Sequence, residues 1–217
     1  MLQRISVFTF ILVIAVTALA APPKQTVVGD FSSGQVVGWD EESFSGNTEY
    51  LIVEQLGVPV LQASSRASAS GLTKKVRIDL WQYPYLNWSW MINNRLPERD
   101  HQTKAGDDYP VRIYLIIDGG LKFWKSKAIN YVWSYNLAKG SAWPNAYAGN
   151  NVVMIAARDG SDDPKRWYNE KRNVLQDLQK YVGPDVRYID GIALMTDTDD
   201  TSSFVNSFYG DIYFSNE

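Results

Sequence analysis

Short apolar–polar alternations recur along this chain, each closed by glycine, proline or a polar cluster. This rhythm limits the fold more than any single motif. "AGDDYPVRIYLIID", residues 105–118, carries it clearly: Val111, Ile113, Leu115 and Ile117 alternate with Arg112, Tyr114, Ile116 and Asp118. Successive strand side chains point to opposite faces, so a period of two predicts a strand with its apolar set turned inward. Arg112 and Tyr114 then share the other face.

The same pattern runs through "TVVGDF", "TEYLIVEQLGVPVLQASS", "SGLTKKVRIDL", "YLNWSWMI", "AINYVWSYN", "NNVVMIAA", "RYIDGIALMTDTD" and "FYGDIYFS". "SGQVVGWDEESF" turns through glycine and returns with Trp39. Roughly ten short strands with turn residues between them predict an all-β, two-sheet sandwich. One segment differs. In "RWYNEKRNVLQDLQKYVGPD", Val174, Leu175, Leu178 and Tyr181 fall at helical spacing, and Gly183-Pro184 stops the run. It predicts one amphipathic helix over residues 169–182.

The first residues set the compartment. Arg4 precedes the apolar run "ISVFTFILVIAVTALAA", and Ala18-Leu19-Ala20 is a small-x-small cleavage signal. Residues 1–20 are read as a signal peptide, leaving residues 21–217 as a single β-sandwich domain. The run is short for a stable span, so no membrane span is expected after processing. Loss of Arg4 moves the formal charge from −3 to −4, and no long basic run remains, which argues against nucleic acid as a partner. The chain has no cysteine. An exported domain without disulfides suits a bacterial periplasm or the extracellular medium. Cys/His zinc or copper sites are effectively excluded, because His101 is the only histidine. A Ser-His-Asp triad would have to use His101, in the polar loop "ERDHQTKAGDD".

Aromatic and acidic residues supply the candidate sites. Trp88 and Trp90 lie two apart on one strand, as do Tyr131 and Trp133 on another. Each pair faces one way, either as an inter-sheet core or as a platform for sugar rings. Leu86 and Ile92 share the Trp face, which favours the core. Trp143 and Trp124 sit in loop-like segments, where ligand contact is the better reading. "MTDTDDTSS" holds Asp197, Asp199 and Asp200 at the density of hard oxygens found in calcium loops, and Asp211 is a further candidate ligand. Asp107 and Asp108 are adjacent, which is poor geometry for a glycosidase pair, so a second acid would have to come from Asp197 or Asp199. Arg112 is expected to pair in a bidentate fork with Asp107, Asp108 or an acid of residues 197–200, shaping a polar pocket beside Trp88–Trp90 or Tyr131–Trp133.

The order of "LNWSWMINNRLP", "AGDDYPVRIYLI", "AINYVWS", "RNVLQDLQKYVG", "IALMTDTDDT" and "FYGDIYF" resembles an uncharacterised bacterial family of secreted domains of unknown function, DUF3047. The resemblance covers most of the mature chain and brings no activity with it. It implies a galactose-binding-like jelly roll. "GDFSSGQVVGW" and "GDIYF" also look like the first and last strands of carbohydrate-binding modules of that class. Such modules often hold a structural calcium near the chain ends, which implies Asp211 as a ligand, with Asp30 or Glu42 as the early acid. Two functions follow as expectations. The first is an exported, non-catalytic domain binding a saccharide or another envelope component, with Trp88, Trp90, Asp107, Asp108, Arg112, Tyr131, Trp133 and Trp143 as ligand-binding candidates. The second is a glycan hydrolase using Asp107 or Asp108 with Asp197 or Asp199.

Overall fold

The computed structural model describes residues 24–118 and 126–217. The expected signal peptide and Trp124 lie outside these residues. Among the described residues, thirteen strands form two sheets. Sheet A runs β11 (Tyr168–Asn173), β6 (Tyr85–Ile92), β13 (Phe204–Ser215), β4 (Val58–Arg66), β3 (Glu49–Gln55), with β1 (Gln25–Gly29) also paired to β13. Sheet B runs β2 (Asp40–Ser45), β5 (Ala69–Asp79), β12 (Tyr188–Asp197), β7 (Arg112–Ile117), β8 (Lys127–Trp133), β10 (Gly149–Arg158), β9 (Ala142–Asn145). Pairing is antiparallel except between β10 and β8. The chain crosses from sheet to sheet at β1–β2, β2–β3, β4–β5, β5–β6, β6–β7, β10–β11, β11–β12 and β12–β13, giving a jelly-roll sandwich.

The alternations place the core between the sheets. Leu86, Trp88, Trp90 and Ile92 of β6 meet Ile113 and Leu115 of β7 and Ile129, Tyr131 and Trp133 of β8 in one buried cluster. Trp88 stacks on Tyr131 at 5.4 Å and meets Trp90 edge-on at 5.2 Å. Trp133 meets Tyr168 edge-on at 5.3 Å. Such pairs add about 0.5–1.5 kcal/mol beyond area burial. Tyr209 of sheet A reaches across the sandwich: its hydroxyl donates to the Met195 carbonyl at 2.7 Å and accepts from the Arg112 N–H at 3.3 Å.

The helix is shorter than its periodicity predicts. α1 spans Val174–Tyr181, and the residues before it form edge strand β11. In β11, Tyr168 and Glu170 are buried while Asn169 and Lys171 are exposed, a strand alternation inside helix-favouring composition. Pairing with β6 overrides local propensity there. Asn173 ends the strand and caps the helix, accepting the Gln176 N–H at 3.0 Å. Among the described residues, no helix is long and apolar enough to cross a membrane.

Candidate functional site

Arg112 stands at the start of β7 with its side chain on the outer face of sheet B. Its Nε donates to Asp197 Oδ1 at 2.8 Å, and its Nη2 pairs with Asp197 Oδ2, completing a fork. Nη1 donates to Asp107 Oδ2 at 3.3 Å and to the Tyr114 hydroxyl at 3.1 Å, while Nη2 also contacts the Asp107 carbonyl. The Tyr109 ring lies 4.5 Å from the guanidinium carbon. Asn145 donates to both Asp107 carboxylate oxygens, at 3.1 and 3.2 Å. All three charged groups are buried, Arg112 being only 2 % exposed. Burial holds the Asp107 carboxyl above its ordinary range, against the pull of Arg112 and Asn145. The fork therefore forms with Asp197 and not with Asp108.

This cluster does not border Trp88–Trp90 or Tyr131–Trp133. Those four side chains are packed in the inter-sheet core, and of them Trp88 also borders a groove on the outer face of sheet A. Trp143 is also buried, in β9, where Tyr109, Val132, Met154 and Ala156 pack with it over the outer face of sheet B. Its neighbours Gly140 and Asn145 suggested a loop, but β9 pairs with β10 as an edge strand. The His101 ring is 4.5 Å from Tyr109 and 6.3 Å from Tyr135, in an aromatic setting unlike that of a catalytic triad. Burial and the nearby Arg112 charge lower its pKa to about 4, so the ring is neutral at pH 7.

Asp108 turns away from Arg112. It accepts the N–H groups of Asp200 and Thr201, at 3.2 and 2.7 Å, and the Thr201 hydroxyl. These bonds bring Asp108, Asp199 and Asp200 together, with carboxylate oxygens within 4.8 Å of one another. Asp108 is buried and the other two are half-buried. Burial, then the charges of Asp200 and Asp108, raise the Asp199 pKa. The Tyr147 hydroxyl donates to Asp200 at 2.6 Å. This trio has the composition to hold a metal ion. It differs from the expected set: Asp197 is committed to Arg112, and Asp211 lies in sheet A. Asp211 accepts the Ser32 N–H at 2.8 Å and the Ser32 hydroxyl at 2.6 Å, and Asp30 is 3.5 Å from the same hydroxyl. Glu42 lies on β2 of the other sheet. Of the four carboxylates considered for a hydrolase, Asp107 and Asp197 share one guanidinium and Asp108 holds a turn.

The outer face of sheet A is different. Asn87, Ser89 and Met91 alternate with the buried Trp row of β6 and so face outward. Lys171 stands opposite Asn87 in the β11–β6 register, and Asn169 opposite Ser89. The β13 register breaks between Tyr209 and Ile212, and Gly210 lies in that break. A Cβ on Gly210 would fall 2.2 Å from Ser89 Oγ, so the glycine leaves room for the serine. An open groove of about 540 Å³ results, with Asn87, Ser89 and Gly210 at its base. Trp167, packed on Val60, Met91 and Phe208, lines it together with Asp211 and Tyr213. The exposed Leu56, at φ +54° in the β3–β4 turn, lines the far side. Trp167, Asn87, Ser89 and Asn169 were missed as site residues by sequence reasoning. The available signal was the polar row alternating with Trp88 and Trp90.

Three solved structures that align with the chain do so at low similarity. One is a family 29 carbohydrate-binding module from Piromyces equi, at 8 % identity and a TM-score of 0.42, covering 91 % of this chain and 93 % of that one. Another comes from work on promiscuous carbohydrate-binding modules of the β-sandwich superfamily, at 9 % identity and 0.46, covering 86 % and 60 %. The third is the enzymatically active domain of bacteriophage CBA120 tailspike protein 4, at 9 % and 0.43, covering 86 % of this chain and 20 % of that one. No curated protein matches the chain. The family model for DUF3047, protein of unknown function, matches residues 37–213, and the chain belongs to that family.

Proposed function

We propose that this chain is an exported, non-catalytic binding domain for a saccharide or another envelope component, and that the ligand lies in the sheet A groove. The observation that carries this is the pairing of Trp167 and Tyr213 with the hydrogen-bonding side chains of Asn87, Ser89 and Asn169 around one open depression. A sugar has an apolar C–H face and a rim of hydroxyls, so it needs such a mixture. Asp211 adds an acceptor already oriented by Ser32. A glycan array probed with the mature protein and with Trp167→Ala tests the reading. Selective glycan binding lost in the variant is expected; an array blank for the wild type overturns it. Export is tested by mass spectrometry of the secreted protein, where a species retaining residues 1–20 overturns the cleavage after Ala20.

The ion suited to Asp108, Asp199 and Asp200 is calcium, because the donors are hard oxygens in a flexible turn. Asp199 supports this: its carboxyl is held up by burial and by two neighbouring carboxylates, a repulsion that a divalent cation relieves.

A further inference from the structure

Trp167 borders two depressions. Beyond it, a second space of about 520 Å³ is lined by Arg158, Ser161, Asp162 and Arg166, and both Trp167 and Asn169 line each space. Either volume alone lies within the roughly 300–1,000 Å³ of ordinary ligand sites. The indole is therefore a ridge between two neighbouring sites. Chemistry differs across the ridge. On the first side Val58, Pro59 and Val60 accompany the polar base, whereas the second side is mainly charged and hydroxylated.

The charges do not add to a single sign. Arg158 is bonded to both Glu170 and Asp162, and Asp211 is held by Ser32. Lys171 lies 4.8 Å from the Tyr85 ring on one side of the ridge, and Arg166 lies 5.4 Å from the Tyr168 ring on the other. Asp211 on the first side and Asp163 on the second offset them. A polyanion or polycation is drawn to a field of one sign, which this lining lacks. A chain of uncharged sugars meets its needs on both sides: a flat ridge under one ring, and donors and acceptors for the hydroxyls of its neighbours.

We propose that the ligand is a neutral oligosaccharide chain that crosses Trp167 and occupies both depressions, so that the domain grips an internal stretch of polysaccharide. This rests on the saccharide reading of the groove. The test is calorimetry with cello-, xylo- and manno-oligosaccharides of two to six units, and with oligogalacturonates of matched length. For the neutral series that binds, affinity should rise at least tenfold from dimer to hexamer. Arg166→Gln, an exposed change, should weaken the hexamer and leave the dimer unchanged. Trp167→Ala should abolish binding. Because Trp167 also packs on Phe208, Trp167→Phe and a melting curve accompany it. Equal affinity at every length, or an Arg166→Gln effect that is absent or independent of length, removes the crossing but leaves the groove reading intact. Tighter binding of the oligogalacturonates overturns the neutral class alone. No binding of any probe overturns the inference and the groove reading together.

Discussion

The outer faces of the two sheets both carry charged and hydrogen-bonding side chains, yet they use them in opposite ways. On sheet B, Arg112 is matched by Asp197, Asp107, Tyr114 and Tyr109, and Trp143 helps cover the cluster. Those polar groups turn inward on one another, and the face is closed. On sheet A, Asn87, Ser89, Asn169 and Lys171 stand in register around an open groove. The lesson concerns desolvation. A buried charge must be met by its own chain, so a dense cluster of charged motifs in a sequence marks a structural pin as readily as a site. Neutral amides and hydroxyls at the water boundary keep capacity for a ligand.

The comparison is broken most forcefully at Arg112. Arg112→Ala should lose about 3–5 kcal/mol in chemical denaturation, because two buried carboxylates lose their counter-charge. Arg112→Lys should recover little of this, since an ammonium cannot reproduce the fork. Wild-type midpoints in both variants would mean the closed face is not a pin. Glycan affinity measured on the folded fraction should be unchanged, because the groove is on the other sheet.

A smaller effect comes from pH. His101 titrates near its ordinary 6.5 when unfolded and at about 4 when folded. Between these values the unfolded chain binds more protons, so stability falls as pH drops through that window and levels off below it. The full shift corresponds to at most about 3 kcal/mol. Asp107 and Asp199 work the other way: their raised folded pKa values favour the fold at low pH and cost stability as pH rises through them. Urea titrations of wild type and His101→Gln across pH 4–7 isolate the histidine. An identical slope in both would show that His101 is not buried neutral.

Calcium comes next. At one hundred times its dissociation constant it should add about 2.7 kcal/mol, read as a higher melting temperature than in chelator. Asp199→Asn should remove that increment while leaving the Arg112 pin in place. No difference between calcium and chelator would reduce the trio to a turn.

The smallest stability effect is expected on the open face. Gly210→Ala meets only the end of the Ser89 side chain, which can rotate, so about 1 kcal/mol or less should be lost. The groove base would be filled nonetheless, and saccharide affinity should drop at least tenfold. A variant that binds normally would move the ligand elsewhere.

Much of this architecture was legible from alternation alone. Leu86, Trp88, Trp90 and Ile92 read as one face, and they line the core. The Arg112 pair was legible because its partners are near in sequence or acidic in a conspicuous run. The division between β11 and α1 was not, because "YNEKRN" has helix-favouring residues and only its pairing with β6 makes it a strand. The groove was hidden for another reason. Its base is assembled from β6, β11 and β13, and each contributes small polar residues that look like ordinary solvent-facing positions until the register aligns them.

The position of β13 governs the order in which the molecule can assemble. It lies between β4 and β6 and also pairs with β1, so the middle of sheet A is supplied by the strand latest in sequence. Hairpins such as β3–β4 and β7–β8 join near neighbours, but every β13 ladder closes a long loop whose entropy must be met before any contact rewards it. Sheet A is therefore slow to complete, and β4 and β6 remain open edges meanwhile. A chain stopped before Phe204 would lose the seam of that sheet, and the edges of β4 and the aromatic-rich β6 would be left as templates for pairing between molecules.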